Sequence, residues 1–350
     1  MTKEVIVAMT YLPFGTTSQR RDAHLYLLSN ANGMTVAVTE VGASVVGVRV
    51  PTAHGELLDV ALGHASARAY EQAHALIGAT VGRVANRTAE ACFTLDGHSY
   101  QLAVNENANN NHSGPDLWCS RVWELTEKGE HHVTFALRSP DGDQGFPGEL
   151  TMRVTYELTD DNQLIVRQEA TPEARTPLNV TNHTYWNLDG HASGSTLRHS
   201  LLIDATCYLP VNNENIPVAG PTPVEGTPFD LRSPRVLADI VRDLPYGLDH
   251  NFCLRTTDDG PLVHAARLVG GNSGVALDVL TDAPGLQVYM AGWLDLPSEK
   301  DGTAYGQFGG VALETQHWPD TLHHPDWPSA IYGPERPFSQ TTVFAFSTAS

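Results

Sequence analysis

Residues 133–158 read VTFALRSPDGDQGFPGELTMRVTYEL. Val133, Phe135 and Leu137 alternate with their neighbours, a run rich in Pro, Gly and Asp follows, and then Leu150, Met152, Val154, Tyr156 and Leu158 hold period two for nine residues. Successive side chains of a strand point to opposite faces, so each run predicts a strand with one buried face. The pattern repeats outward. Val36 and Val38, with Val41, begin one alternation, and Val45, Val46, Val48 and Val50 form another that Pro51 stops. Phe93 and Leu95 lead into Asp96-Gly97 and on to Tyr100 and Leu102, a hairpin signal. Further strands are expected at 275–280, 286–293, 311–315 and 342–346. Helical signals are short: 66–74 and 234–241, the second with Ser233 as cap and Pro234 at the first helical position. Closely spaced strands with almost no intervening helices predict an all-β antiparallel sandwich or barrel. No repeat, low-complexity block or linker interrupts it, so one domain over 1–350 is expected.

Composition narrows the function. The chain has 350 residues, 41% of them hydrophobic, with 30 Gly and 22 Pro, which suits a turn-rich β protein with a sizeable core. Its net charge is −19, from 21 Lys+Arg against 40 Asp+Glu, and the lysines are Lys3, Lys128 and Lys300 alone. That field repels phosphate backbones and anionic bilayers, so neither nucleic acid nor membrane is an expected partner. No apolar run approaches the roughly 18 residues that span a bilayer, and MTKEVIVAMTYLPFG lacks a signal-peptide core, so a cytoplasmic location is expected. Cys92, Cys119, Cys207 and Cys253 form no CxxC pair and read as free thiols. GxGxxG, P-loop, GxSxG and HExxH motifs are all missing.

Histidine is the unusual feature, with 16 in the chain. In VTNHTYWNLDG (180–190), His183 and Tyr185 would share one strand face, Asn182 and Trp186 the other. An imidazole titrates near neutrality and suits acid–base work, or else it is a core histidine bonded to a carbonyl. In ALETQHWPDTLHHPDWP (312–328), Glu314 ends a strand expected to be buried, a costly place for a carboxylate unless it is paired or functional. His317, His323 and His324 with Asp320 or Asp326 match no tight metal-ligand spacing, and no metal is expected. GATVGRVANR (78–87) places the Asn86 amide beside the Arg87 guanidinium, a pair suited to hydroxyl-rich ligands or to a structural role. His112 lies in the polar loop NENANNNHSGPDLW (105–118), while Asp249 in YGLDHNF and Gln287 in APGLQVY read as structural when taken alone.

Taken together, these segments resemble the aldose 1-epimerase (galactose mutarotase) family. The likeness runs through PFG (13–15), NANGMTVAVTEVGASVVGVRVP (30–51), LLDVALGH (57–64), GRVANR, FTLDG, SPDGDQGFPGEL, VTNHTYWNLDGH, VEGTPFDLR, LDHNF, PGLQVY and LETQHWPD, in that order. The resemblance implies a large antiparallel β-sandwich of the galactose mutarotase type with a few short helices, and an open sugar cleft on one sheet. It implies interconversion of the α and β anomers of a free aldose such as galactose or glucose. It also implies His183 as the acid at the ring oxygen, Glu314 as the base at the anomeric hydroxyl and His112 as an assisting histidine. Asn86, Arg87, Asp249 and Gln287 would hold the sugar hydroxyls, with no cofactor, in a monomer or homodimer. Trp186 or Tyr289 is expected to face the sugar's C–H side. The chain departs from the family's usual pattern at Asn111-His112-Ser113-Gly114, at PDLWCS, at Gly292-Trp293-Leu294 and at His323-His324-Pro325, which bears on substrate preference. The alternatives are an epimerase of the same fold for a pentose or hexose 6-phosphate, or a sugar-binding module without turnover.

Overall fold

The computed structural model describes residues 10–72, 74–257 and 260–348; Lys3 and the apolar stretch ahead of Thr10 lie outside the described residues. The two alternating runs of 133–158 become strands His132–Ser139 and Leu150–Leu158, paired antiparallel with Val133 opposite Tyr156. Burial along the second alternates as its side chains do. Both belong to a nine-stranded sheet. In it Gln163–Ala170 pairs with the long strand Phe338–Thr348, and Val275–Thr281 lies on the other side of that strand.

A six-stranded antiparallel sheet runs Tyr185–Trp186, Val311–Gln316, Gly285–Tyr289, Asp249–Cys253, Cys207–Tyr208, Thr222–Pro223. Its inner face meets the nine-stranded sheet. Trp186 packs on Phe344 and Phe346 at ring separations of 5.0 and 5.5 Å, and Leu286, Val288, Val311 and Leu313 join the same core as Phe135, Met152 and Val154. A five-stranded sheet built from residues 10–59 adds Val36, Val38, Val45 and Val48 to that core. The outcome is the expected antiparallel sandwich.

Several local expectations are met. Asp96 and Gly97 both have positive φ, 53° and 79°, and close the hairpin Cys92–Leu95 with His98–Gln101. The four cysteines are free, although Cys207 and Cys253 sit opposite one another on adjacent strands. Others need correction. The second helix is Leu237–Asp243 with Val236 as its N-cap, because Arg235–Val236 is drawn into the sheet against Ser200–Leu201 and the Ser233–Pro234 start is lost. The first spans only Ala67–Glu71, capped by Ser66. The strand expected over 286–293 stops at Tyr289, and the chain turns at Ala291 with φ 53°. Glu314 is the fourth residue of Val311–Gln316, inside the strand and not at its end.

One buried side chain fixes the loop that carries Asn86 and Arg87. Arg83 has no exposed surface, and its five N–H donors reach five acceptors. They are Ser139 Oγ at 2.9 Å, Ser139 O at 3.1 Å, Pro140 O at 2.8 Å, Pro147 O at 2.9 Å and Thr176 Oγ1 at 3.2 Å. The turn-rich SPDGDQGFPG segment is thus a cradle for a guanidinium. Burial pulls the Arg83 pKa down to about 10, with the Asp143 carboxylate opposing the shift. Arg83→Ala would leave buried carbonyls without donors, each worth about 1–3 kcal/mol. We expect a loss of about 3 kcal/mol in a denaturant titration, and a change below about 0.5 kcal/mol would contradict the assigned role.

Candidate active site

Period two and register assemble the site. In the six-stranded sheet Glu314 lies opposite Gln287, and Gln287 opposite Asn251. One step along, Tyr185 lies opposite Ala312, Ala312 opposite Tyr289, and Tyr289 opposite Asp249. All of these project from the outer face, because their neighbours Trp186, Val288, Leu313 and Phe252 fill the core. His183, two residues before Tyr185, extends the first row beside Glu314, so His183 and Tyr185 share a face as their spacing predicts. Trp186 points the other way, into the core, and cannot meet a ligand; Tyr289 does line the cleft.

Loops close over this floor to leave a cleft of about 610 Å³. His183, Glu314, His112, Asn86, Arg87, Asp249 and Gln287 all line it, so residues spread over more than 200 positions converge on one volume. Arg87–Thr88 pairs with Asn110–Asn111, which brings the two loops together. The Asn86 N–H donates to His112 Nδ1 at 3.1 Å, and the His112 N–H donates to Asn86 O at 3.0 Å. An Nδ1 that accepts leaves the proton of the neutral ring on Nε2. Asn86, His112 and Ser113 all adopt left-handed backbone, with φ 64°, 54° and 58°. Ser113, one of the departures, locks this loop: its Oγ accepts from Val84 N–H at 2.8 Å and donates to Val84 O at 3.0 Å. Gly82 is required by close approach, since a Cβ there would lie 2.6 Å from the Trp118 ring.

Electrostatics divides the cleft in two. On one side Arg87 Nε and Nη2 donate to Glu106 Oε1 at 2.8 and 2.7 Å, and Nη1 stands 3.9 Å from Asp249 Oδ2. Gln287 donates to Asp249 Oδ1 at 2.6 Å and Asn215 to Oδ2 at 2.9 Å. Burial raises the Asp249 pKa, with Arg87 and Gln287 pulling it back. On the other side His183 Nε2 lies 3.5 Å from Glu314 Oε1, both side chains buried. Desolvation lowers the His183 pKa to about 4 and lifts that of Glu314 well above the carboxylate range, with Asp249 adding to the rise and Arg87 opposing it. Burial, with the nearby charges of His183 and Arg87, likewise keeps His112 neutral. Glu314 Oε2 and His183 Nδ1 have no protein partner. Two buried titratable groups with opposed shifts, side by side in a cleft, are equipped to exchange protons with a bound molecule.

The other candidates separate from this centre. His317 is buried and its Nε2 pairs with Tyr332 Oη at 2.7 Å, while His323 and His324 pack around Asp320, whose Oδ1 accepts from Ala89 N–H at 2.8 Å. Among the described residues no group of three or more His, Cys, Asp or Glu is arranged to hold a metal. Sequence reasoning missed Glu106, Asn111 and Asn215, all of which line the cleft. The density of amides and the lone acid in NENANNNH was the available signal for the first two; Asn215 had none.

Comparison with known proteins gives the family. The family model described as aldose 1-epimerase matches residues 24–345. The galactose mutarotase of Sus scrofa is 38% identical, the match covering 90% of this chain and 92% of that protein. The aldose 1-epimerase of Escherichia coli K12 is also 38% identical, over 92% of this chain and 94% of that one. Among solved structures, a GalM/aldose epimerase homologue from C. elegans superposes with a TM-score of 0.87 at 29% identity, covering 94% of this chain and all of that one. A galactose 1-epimerase from Lactobacillus acidophilus gives 0.82 at 27% identity, over 98% and 99%.

Proposed function

The chain belongs to the aldose 1-epimerase family, and from that premise we propose that Glu314 and His183 interconvert the anomers of a free aldose held by Arg87, Asp249, Gln287 and Asn86. The protein is an isomerase acting on a sugar. The observation that carries the residue assignment is the 3.5 Å approach of two buried groups, Glu314 and His183, whose pKa values are driven in opposite directions.

The chemistry follows from where the protons must go. O1 and O5 of a pyranose share one carbon, so a base for the first and an acid for the second must stand close together. Glu314 takes the O1 proton while His183 gives one to O5; the C1–O5 bond breaks and C1=O forms. Rotation about C1–C2 turns the other face of the aldehyde to O5. O5 then attacks, His183 recovers its proton and Glu314 returns its own, so no net proton is consumed. The neutral His112, its Nε2–H free to donate, assists near the ring oxygen. Each proton transfer contributes typically about 10²- to 10⁴-fold.

The pair works while it holds one proton between its two members. A second proton, added as pH falls, charges His183 while Glu314 is neutral, and no base remains. Loss of the shared proton as pH rises leaves no acid. Burial disfavours both charged forms, lowering the His183 pKa to about 4 and raising that of Glu314, so in the empty cleft the one proton rests on Glu314 and passes to His183 when the sugar binds. Polarimetry of freshly dissolved α-galactose, α-glucose, α-xylose and arabinose is the test. We expect acceleration with at least one of these sugars, and an acid limb of the kcat/KM profile near pH 4, well below the free imidazole value. A loss of activity with a midpoint at 6.5 would point to a solvated histidine instead, and no acceleration of any free sugar would sink the reading.

A hexose 6-phosphate is disfavoured, because Arg87 is already paired with Glu106 and Asp249 in a cleft that Asp295 and Glu314 also line. We place the protein in the cytoplasm as a monomer or homodimer, without nucleic-acid or membrane partners. Four free thiols, the net charge of −19 and the lack, among the described residues, of a helix long and apolar enough to cross a membrane support that placement.

A further inference from the structure

The floor of the cleft continues past Tyr289. Met290 N–H still bonds Leu248 O at 3.0 Å, the chain turns at Ala291, and Trp293 comes to lie on Tyr246, the residue three places before Asp249. The two rings stack with centroids 4.1 Å apart and planes 18° from parallel. Gly292 permits the approach, since a Cβ there would lie 2.1 Å from Tyr246 O. The Trp293 backbone N–H donates to the Tyr289 hydroxyl at 3.3 Å, and Trp293 lines the same cleft as His183 and Glu314. An aromatic path therefore runs from the proton-transfer centre to the rim. His183 lies 4.9 Å from Tyr185, Tyr185 lies 6.0 Å from Tyr289, and Trp293 and Tyr246 follow.

This pair is exposed as no other tryptophan is. Trp293 is 70% and Tyr246 55% accessible, whereas Trp118, Trp123, Trp186 and Trp318 are buried. Apolar area left in water beside a ligand cleft marks a binding surface. A stacked indole and phenol present a rigid apolar face with a negative π cloud, complementary to the C–H-rich face of a sugar ring. Asp295, also on the cleft wall, offers acceptor oxygens to the hydroxyls around that ring. The cleft is roomy for one hexose of twelve heavy atoms, at about 610 Å³.

We infer that Tyr246 and Trp293 form a second sugar subsite, which holds the non-reducing residue of a di- or oligosaccharide whose reducing-end ring lies between His183 and Glu314. The inference rests on the epimerase reading above. A substrate must keep its O1 hydroxyl free, so a second residue is joined through another carbon and leaves the proton-transfer centre. The continuing ladder carries the floor outward to this pair.

Maltose and lactose both end in a reducing glucose, so the ratio of their kcat/KM values to that of glucose isolates the second ring. Polarimetry on the wild type, Trp293→Ala, Tyr246→Ala and Trp293→Phe measures it. We expect the ratio to fall about three- to tenfold in each alanine variant and to recover largely in Trp293→Phe. An unchanged ratio in both alanine variants overturns the subsite, as does a change only in self-association by sedimentation. Binding supplies an arm independent of turnover. Maltose added to Glu314→Gln should shift the emission of the exposed Trp293 more than glucose does, with the extra shift gone in Trp293→Phe. If the wild type turns over no free sugar the epimerase reading fails, and this binding arm alone decides the subsite: equal shifts with maltose and glucose overturn it.

Discussion

Glu314→Gln should slow anomer interconversion by about 10³- to 10⁴-fold, equivalent to about 4–5 kcal/mol of barrier, while the protein stays folded. The amide keeps the shape of the carboxyl but cannot accept the O1 proton. Glu314 occupies the middle of a fully buried strand, its Oε2 has no partner, and burial drives its pKa well up. A carboxyl in that state costs stability, which a neutral isostere relieves. Activity should therefore collapse while the melting temperature holds or rises slightly, and a titration should show sugar still binding. Activity within tenfold of wild type, measured by polarimetry on α-galactose, would remove Glu314 from the chemistry. A fall in melting temperature of many degrees would instead make it a structural residue.

His183→Asn should cost about 10²- to 10⁴-fold. The backbone at 183 is held independently of its side chain, by His183 N–H to Ala79 O at 2.9 Å and Gly78 N–H to His183 O at 2.9 Å. Asparagine can still donate a hydrogen bond near O5 but has no proton to transfer near neutral pH. Because the two residues share one proton, their effects should not add: Glu314→Gln/His183→Asn should be little worse than the poorer single variant. Fully multiplicative losses would mean that the two groups act separately. The shape of the residual pH profile is a second check: with no acid left to lose, the limb at high pH should vanish in His183→Asn, while a limb set by protonation of Glu314 remains.

The strands were readable because alternation is a local property. Leu150–Leu158 and the Asp96-Gly97 hairpin lie where the pattern puts them. Errors fell where non-local contacts outweigh local signals. Ser233 and Pro234 make a good helix start, but the sheet edge at Ser200–Leu201 takes Arg235–Val236 first. Trp186 stands among polar and aromatic neighbours in sequence yet belongs to the core with Phe344 and Phe346. Arg83 looked like any arginine in a glycine-rich loop, since its five acceptors come from residues 139–176. Asn215 gave no local sign at all that it would reach Asp249.

By itself the sequence determined the strand pattern, the face on which each residue of a strand lies and the family whose motifs it carries. A side chain's face follows from its place in a period of two, and that depends only on its neighbours in the chain. Tertiary structure decided which strands became adjacent, and so set Glu314 beside Gln287, Asp249 beside Tyr289 and His183 beside Glu314. It also decided the protonation of the centre. The shift of a buried acid or base is the free energy of removing its charge from water, and that depends on every segment that closes over it.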